Sequence, residues 1–332
     1  MNLRRHWTLL LAALLLGINP GAESSGIDIA KLQSTQRFAT WRGIEPDKWA
    51  TLWLIKRHLS VDAYFLFNEP GAELPGNAAL FGVPAAALRR VKGESMFRRL
   101  KRAMQLQGPA LEALDQVVHD IEVNIWEAPV HPHSPWFEGI FRQLQARYER
   151  DQVPVDCYLA LFDAAVALLP RADVTPADYQ LQLNMRADCQ GLRTPPQRAV
   201  AQLDHLQVLR EIRLGSKVVF VDTREEQEYD EVHLPGALQL RLRDVSRQSI
   251  QPLVDADLVI PYCVKDFRGF EVASAIRRLG LRQVATLSPN GLKGWLQAGL
   301  PVVRPGESSE RQASVDLMRC AMEPSICIKE KP

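Results

Sequence analysis

From residue 204 to residue 304 short β-branched runs alternate with helical stretches, and this alternation constrains the fold more than any other feature of the chain. The runs are "KVVFVD", "DLVIPYC" and "QVATLS"; the stretches that follow them are "TREEQEY", "RGFEVASAIRRLG" and "GLKGWLQAGL". Apolar residues recurring at three and four make a helix that buries one face, whereas short β-branched runs between turn residues make buried strands. Strands that alternate with helices pair in parallel, with helices over both faces of the sheet. Residues 204–304 are therefore predicted to form an α/β domain around a parallel sheet.

Residues 28–188 follow another pattern. The segments "KWATLWLIKRHL", "GPALEALDQVVHDIEVNIW" and "DCYLALFDAAVALL" all carry helical periodicity, which predicts a mainly α N-terminal domain. The stretch "CQGLRTPPQRAVAQLD" separates the two patterns, and residues 189–203 are read as a linker. Beyond Pro305 the chain is rich in Ser, Glu and Arg, so residues 305–332 are expected to be a poorly ordered tail as far as a two-cysteine clip. The 332 residues, 46% of them apolar, suffice for two cores, and a net charge of +1 gives no reason to expect nucleic acid as a partner.

The opening "MNLRRHWTLLLAALLLGINPGAESSG" has a basic start at Arg4 and Arg5, an apolar centre and small residues at Ala22 and Ser24. This reads as a signal peptide over residues 1–24, with a mature chain starting near Glu23 or Ser25 in the periplasm or outside the cell. The apolar run Thr8 to Ile18 has 11 residues. A bilayer span takes about 20, so no stable membrane span is expected, and an uncleaved interfacial anchor is the other reading. Export makes disulfides possible for the five cysteines, Cys157, Cys189, Cys263, Cys320 and Cys327. Five is odd. With Cys263 set aside as a reactive thiol, sequence neighbourhood favours Cys157–Cys189 and Cys320–Cys327 among the three connectivities. Read as a metal site, "CAMEPSIC" supplies only half of a tetrahedral shell, and neither metal nor cofactor is expected.

Cys263 lies between a strand and a helix in "PYCVKDFRGFEVASAIRRLG". A tight loop there places the N–H groups of residues 264 to 268 around the sulfur, and the helix N-terminus adds partial positive charge. Both depress a thiol pKa and hold a thiolate or a persulfide. The other reading is a buried structural cysteine at a strand end.

The neighbouring motifs resemble the rhodanese domains across about residues 204–304. "VDTREEQEYDEVHLPGALQL" is similar to the first rhodanese signature through Asp222, Arg224, Glu228, Tyr229, His233, Pro235, Gly236 and Ala237. "LSPNGLKGWLQAGLPVV" is similar to the second through Gly291, Trp295 and Pro301. Val232 stands where a glycine is usual, and Pro289-Asn290 stands where a glycine pair would begin. In this family a loop of six residues counted from the cysteine goes with sulfur transfer, and a loop one residue longer with phosphate or arsenate. Here the six are Cys263, Val264, Lys265, Asp266, Phe267 and Arg268. The resemblance thus implies a catalytic Cys263 persulfide in an anion-binding loop of Val264, Lys265, Asp266, Phe267 and Arg268. It also implies a small-molecule sulfur donor, for which thiosulfate fits without being specified, and a thiol or cyanide-like acceptor. Lys265 could steer an anionic donor, with Asp266 opposing it and Phe267 making one wall apolar. Asp222, Arg224 and His233 are read as structural support.

Residues 46–170 resemble the chromate resistance exported protein family. "LWLIKRHLSVDAYFLFNEP" approaches its Trp-Leu-Ile-Arg-Arg segment through Trp53, Lys56, Arg57, Asp62 and Ala63. "FGVP" approaches a Phe-Asp-Ile-Pro turn with Gly82 in place of the acid, "GPALEALDQVVHDIEV" a Pro-Ala-Leu helix, and "LFDAAVAL" a Phe-Asp-Ala segment at Phe162 and Asp163. The family's His-Gly stretch is eroded to "RRVKGESMFRRL". His119 and Asp120 read as helix-end or core residues before they read as ligands. His131 and His133 lie in a Pro-rich loop, and the basic run Arg89 to Arg102 reads first as a solvated helix face, with oxyanion binding as the alternative. The functional expectation is an exported sulfurtransferase linked to chromate or oxyanion stress. A non-catalytic binding or redox-sensing module beside an oxyanion-binding helical domain is the alternative, and a thiol oxidoreductase the third reading.

Overall fold

The computed structural model describes residues 26–148, 150–191, 200–288 and 290–328. The leader expected over residues 1–24, most of the linker and Pro289 lie outside the described residues. Among the described residues no helix is long and apolar enough to cross a membrane.

The N-terminal domain runs α1 (Ile29–Gln33), β1 (Arg37–Trp41), α2 (Pro46–Leu54), β2 (Tyr64–Asn68), β3 (Ala79–Leu80), α3 (Met96–Ala103), α4 (Pro109–Glu122), α5 (Ser134–Ala146), α6 (Val155–Leu168) and α7 (Pro176–Asn184). Proline in the first turn, where no N–H is needed, starts α2, α4, α5 and α7. The helices dominate, and they pack on a small parallel sheet in the order β2-β1-β3, with Phe38 opposite Phe65 and Ala79. The β1 and β3 strands have no counterpart in the sequence reading. Phe97, Leu114, Phe137, Phe141 and Phe162 fill the core.

The C-terminal domain runs β4 (Ala201–Leu203), α8 (His205–Arg213), β5 (Val218–Asp222), α9 (Glu226–Glu231), β6 (Leu238–Gln239), β7 (Leu258–Tyr262), α10 (Phe267–Arg278), β8 (Ala285–Leu287), α11 (Gly291–Gln297) and α12 (Glu310–Met322). The ladders β6-β5-β7 and β8-β4 are parallel throughout. A parallel bridge between Val259 and Val284 joins them into one sheet, β6-β5-β7-β8-β4. The alternation of runs and helices in the sequence is therefore realised as a parallel α/β domain.

The tail is not the poorly ordered segment expected of it. Ser309 caps α12 by accepting from the N–H of Gln312, and Ala313, Leu317, Cys320 and Ala321 are buried along one face against α8. The two disulfides favoured by sequence neighbourhood are formed. Cys157 on α6 pairs with Cys189 and Cys320 on α12 with Cys327, with Cα separations of 5.4 and 5.5 Å.

The apolar core of the helical domain continues without a break into α10, where Phe267, Phe270, Val272 and Ile276 belong to the same cluster as Phe137 and Phe141. Ile44 N donates to Glu271 on α10 at 2.8 Å, and Gln145 donates to the Ile44 carbonyl at 2.7 Å. These contacts fix the two domains against each other beside the cysteine loop.

Candidate functional site at the cysteine loop

Strand β7 ends at Tyr262 and α10 begins at Phe267, so Cys263 opens the connection at the C-terminal end of a central strand. Ligand sites of open parallel sheets collect at such ends. Helix α11 closes the loop from behind, where Leu292 N donates to the Cys263 carbonyl and Lys293 N to that of Val264, both at 2.9 Å. This approach requires glycine at 291, which has φ +46° and where a Cβ would overlap the carbonyls of Cys263 and Lys265. Gly269 does the same for α10, since a Cβ there would meet the Pro261 carbonyl at 2.9 Å. The first turn of α10 thus lies over the end of β7, and the amides of Gly269 and Arg268 at that turn favour the charged form of Cys263.

Cys263 is free, while the other four cysteines are in disulfides. It is also 4% exposed. Burial pushes its thiol above the usual value, further than the Arg268 charge and the two amides pull it down, and Asp266 adds to the rise. The depressed thiol expected from the loop alone is therefore reversed by burial of the sulfur.

The roof is made by α5 and by Arg150. Lys265 Nζ lies 2.6 Å from Glu138, and the Asp266 carboxylate accepts from Arg142 at 2.5 Å and Arg150 at 2.9 Å. The Arg142 guanidinium lies 4.4 Å over the centroid of the Phe267 ring, which also meets Phe141 edge-on. Asp266 stands at the N-cap of α10, a place where aspartate usually accepts from its own helix, yet it makes no capping bond because both oxygens face the arginines. Lys265, expected as a possible steering charge, is instead spent on Glu138, and Val264 is buried. Arg268 forms a two-pronged pair with Glu228 at 2.9 and 3.0 Å. Burial would raise Glu228, but the Arg268 hydrogen bonds and charge bring it down to about 2.

Asp222 and Arg224 form a fully buried ion pair at 2.6 Å, and Arg224 also donates to the Val232 carbonyl. The His233 ring stacks on Tyr229 at 4.0 Å, with Nδ1 2.9 Å from the Tyr229 carbonyl and Nε2 3.3 Å from Glu310. These three brace the wall of the domain: Asp222 and Arg224 partner each other and nearby backbone, and His233 partners Tyr229 and α12.

In the helical domain Arg57 and Trp53 both donate to Asp163, at 2.7 Å each at their closest. Apart from Lys92, the bases of the run are occupied within the domain. Arg90 reaches Asp47 and Glu122, Arg98 reaches Asp115, Lys101 reaches Glu112 and Asp115, Arg102 reaches Glu94, and Arg89 and Arg99 donate to backbone carbonyls. Asp120 accepts from His131 N and Ser134, which ties down the histidine loop, and His133 stacks on Trp136 at 4.8 Å. The residues that sequence reasoning missed are Glu138, Arg142 and Arg150. They read as ordinary charges on and after an amphipathic helix, and no local signal marks them as partners of a loop more than a hundred residues away.

Residues 38–169 match the family model described as "ChrB, C-terminal domain", and residues 206–298 the one described as "Rhodanese-like domain". An uncharacterized protein of Synechocystis sp., slr1261, is 28% identical over 111 residues, which are 33% of this chain and 58% of that protein. The chain thus spans under two thirds of that relative's length. The crystal structure of the BH2092 protein from Bacillus halodurans matches at 23% identity and a TM-score of 0.29, over 31% of this chain and 77% of that one. The chain thus joins a segment similar to the ChrB C-terminal domain to one similar to the rhodanese-like domain, in that order.

Proposed function

We propose that the protein is an exported rhodanese-type sulfurtransferase that carries sulfane sulfur as a persulfide on Cys263, in the setting of chromate or other oxyanion stress. The observation that carries this reading is one free cysteine at the end of a parallel strand, where the first turn of α10 begins, in a chain whose other cysteines are paired. With thiosulfate as donor, the Cys263 thiolate attacks the outer sulfur, the S–S bond of thiosulfate breaks, and sulfite leaves with the electron pair. A thiol or cyanide-like acceptor then attacks the outer persulfide sulfur, and the Cys263 thiolate leaves. The amides and Arg268 balance the negative charge in both steps. Intact-mass analysis after incubation with thiosulfate tests this: one added sulfur, lost on adding cyanide, supports it, and an unchanged mass with every sulfane donor overturns it.

A second reading, a binding or redox-sensing module without turnover, is favoured by one observation. The loop is roofed by the helical domain and its thiol is pushed up, both of which oppose attack by Cys263. Persulfide formation that is too slow to turn over, together with a changed domain association on oxidation of Cys263, would select it.

A further inference from the structure

Arg150 is a residue that the cysteine loop only half uses. It follows α5 at φ +69°, a left-handed conformation uncommon for any residue but glycine. Its side chain is 7% exposed. Nη1 donates to Asp266, and the guanidinium lies 4.4 Å over the Phe270 ring. Nη2 is buried with no partner. Buried polar groups are normally paired, and a guanidinium N–H left bare in the interior is a standing cost to the fold. Arg142 makes the contrast, since its nitrogens are used by Glu138 and Asp266.

Arg150 lines a cavity of about 860 Å³ between α5 and α10. That size falls in the range of about 300 to 1,000 Å³ typical of organic ligand sites, and an inorganic oxyanion would leave most of it unfilled. Arginines prevail on the walls, where Arg277, Arg278 and Arg282 join Arg142 and Arg150. The acids among the lining residues are Asp266, already held by two arginines, and Asp151, 3.8 Å from Arg278. Phe270, Ala146 and Val200 supply an apolar part. Cys263 is not among the lining residues, so the cavity is separate from the thiol.

We propose that this interdomain cavity binds a small organic anion, whose phosphate, sulfo or carboxylate group meets the Arg150 guanidinium once a shift of that side chain turns the covered Nη2 toward the cavity, and whose apolar body rests against Phe270. A charge-assisted hydrogen bond would satisfy Nη2, and the aromatic floor would take the rest of the ligand.

Isothermal titration of the full oxidised chain with phenyl phosphate, inorganic phosphate and phenol tests the site. Phenyl phosphate is expected to bind at one site and about tenfold or more tighter than inorganic phosphate, with no saturable heat from phenol. Arg150→Gln is expected to weaken phenyl phosphate by about tenfold or more, the loss of one charge-assisted bond. Because that variant also unties Asp266, Ala146→Trp serves as the second. It sits on the exposed side of α5 at the cavity wall and should block the space with the fold retained by circular dichroism. No saturable heat from phenyl phosphate, equal affinity for inorganic phosphate, or unchanged binding in the folded variants would overturn the proposal.

Discussion

Glu138 on α5 and Lys265 in the cysteine loop are joined by a 2.6 Å ion pair that spans 127 residues of sequence, with both side chains mostly buried. The lysine nearest the candidate nucleophile is therefore neutralised by the other domain. The loop that carries Cys263 and the docking of the two domains are joined at this point.

Loosening that roof should make the thiol more reactive. Glu138→Ala frees Lys265 and removes one of the acids on Arg142, so water reaches the loop and the burial that pushes Cys263 up is relieved. Alkylation by iodoacetamide near neutral pH is expected to quicken by about tenfold, the factor one pKa unit represents. An unchanged rate, read by mass spectrometry, would show that the roof does not control access.

Cys263→Ser should remove every trace of sulfur transfer and of added sulfur mass, with the fold and both disulfides kept, because a hydroxyl cannot form the persulfide. Sulfite release from thiosulfate gives the readout. Transfer at the wild-type rate would end the persulfide mechanism.

Arg268→Ala should slow transfer from anionic donors by about 1 to 3 kcal/mol in activation free energy, through loss of a charge beside the sulfur. The same change has a pH signature. Glu228 is held at about 2 against an ordinary 4.5, so its contribution is full above about 4.5 and is lost as pH falls toward 2. Urea midpoints of the wild type should drop across that acid window, and Arg268→Ala should flatten the drop.

Glu271 works in the opposite sense and in a separate window. Burial, with Glu45 beside it, lifts its carboxyl to about 8, so the folded state holds this proton more tightly than the unfolded one. The resulting stability is full below about 4.5 and is lost as pH rises toward 8. Glu271→Gln mimics the protonated form, and should raise the urea midpoint at pH 8 relative to wild type while changing it little at pH 5. A midpoint that falls at pH 8 would mean that the carboxylate is the stabilising form.

Closed by its disulfide, the Cys157–Cys189 loop has a separation of 32 residues, against 7 for Cys320–Cys327. Restriction of the unfolded chain gives about 3 to 4 kcal/mol for the first and about 2 to 3 for the second. Paired Cys→Ser variants compared in urea should rank in that order. Equal losses would point to native packing of α12 as the larger factor for the short clip.

The cysteine loop was legible because its parts are close in sequence: a β-branched run, the cysteine, and a helix whose Gly269 lets it press on the strand. The disulfides could also be read, since each pairs sequence neighbours. The β1 and β3 strands were not, because five and two residues carry too little alternation to stand out between strong helical patterns. Helix α12 was hidden by its polar composition, although Ala313, Leu317, Cys320 and Ala321 do fall at helical spacing. The roof was beyond reach for a different reason. Ion pairs such as Arg142–Asp266 and Arg150–Asp266 depend on how two domains meet, and a single chain's periodicity records only its local periods. The thiol's raised pKa follows from its burial, which local reasoning about the helix N-terminus does not weigh, so the expected direction was wrong.

Helix α10 keeps little of its surface for solvent. Eight of its twelve residues are buried, some against β7 and β8 and others against the helical domain. Each domain uses it as part of its own interior. Heat should therefore not melt one half and leave the other standing, and calorimetry of the oxidised chain should trace one endotherm. Cutting the chain at the linker and separating the pieces would leave the first half without a wall and the second with an apolar helix facing water, ready to stick to its own copies.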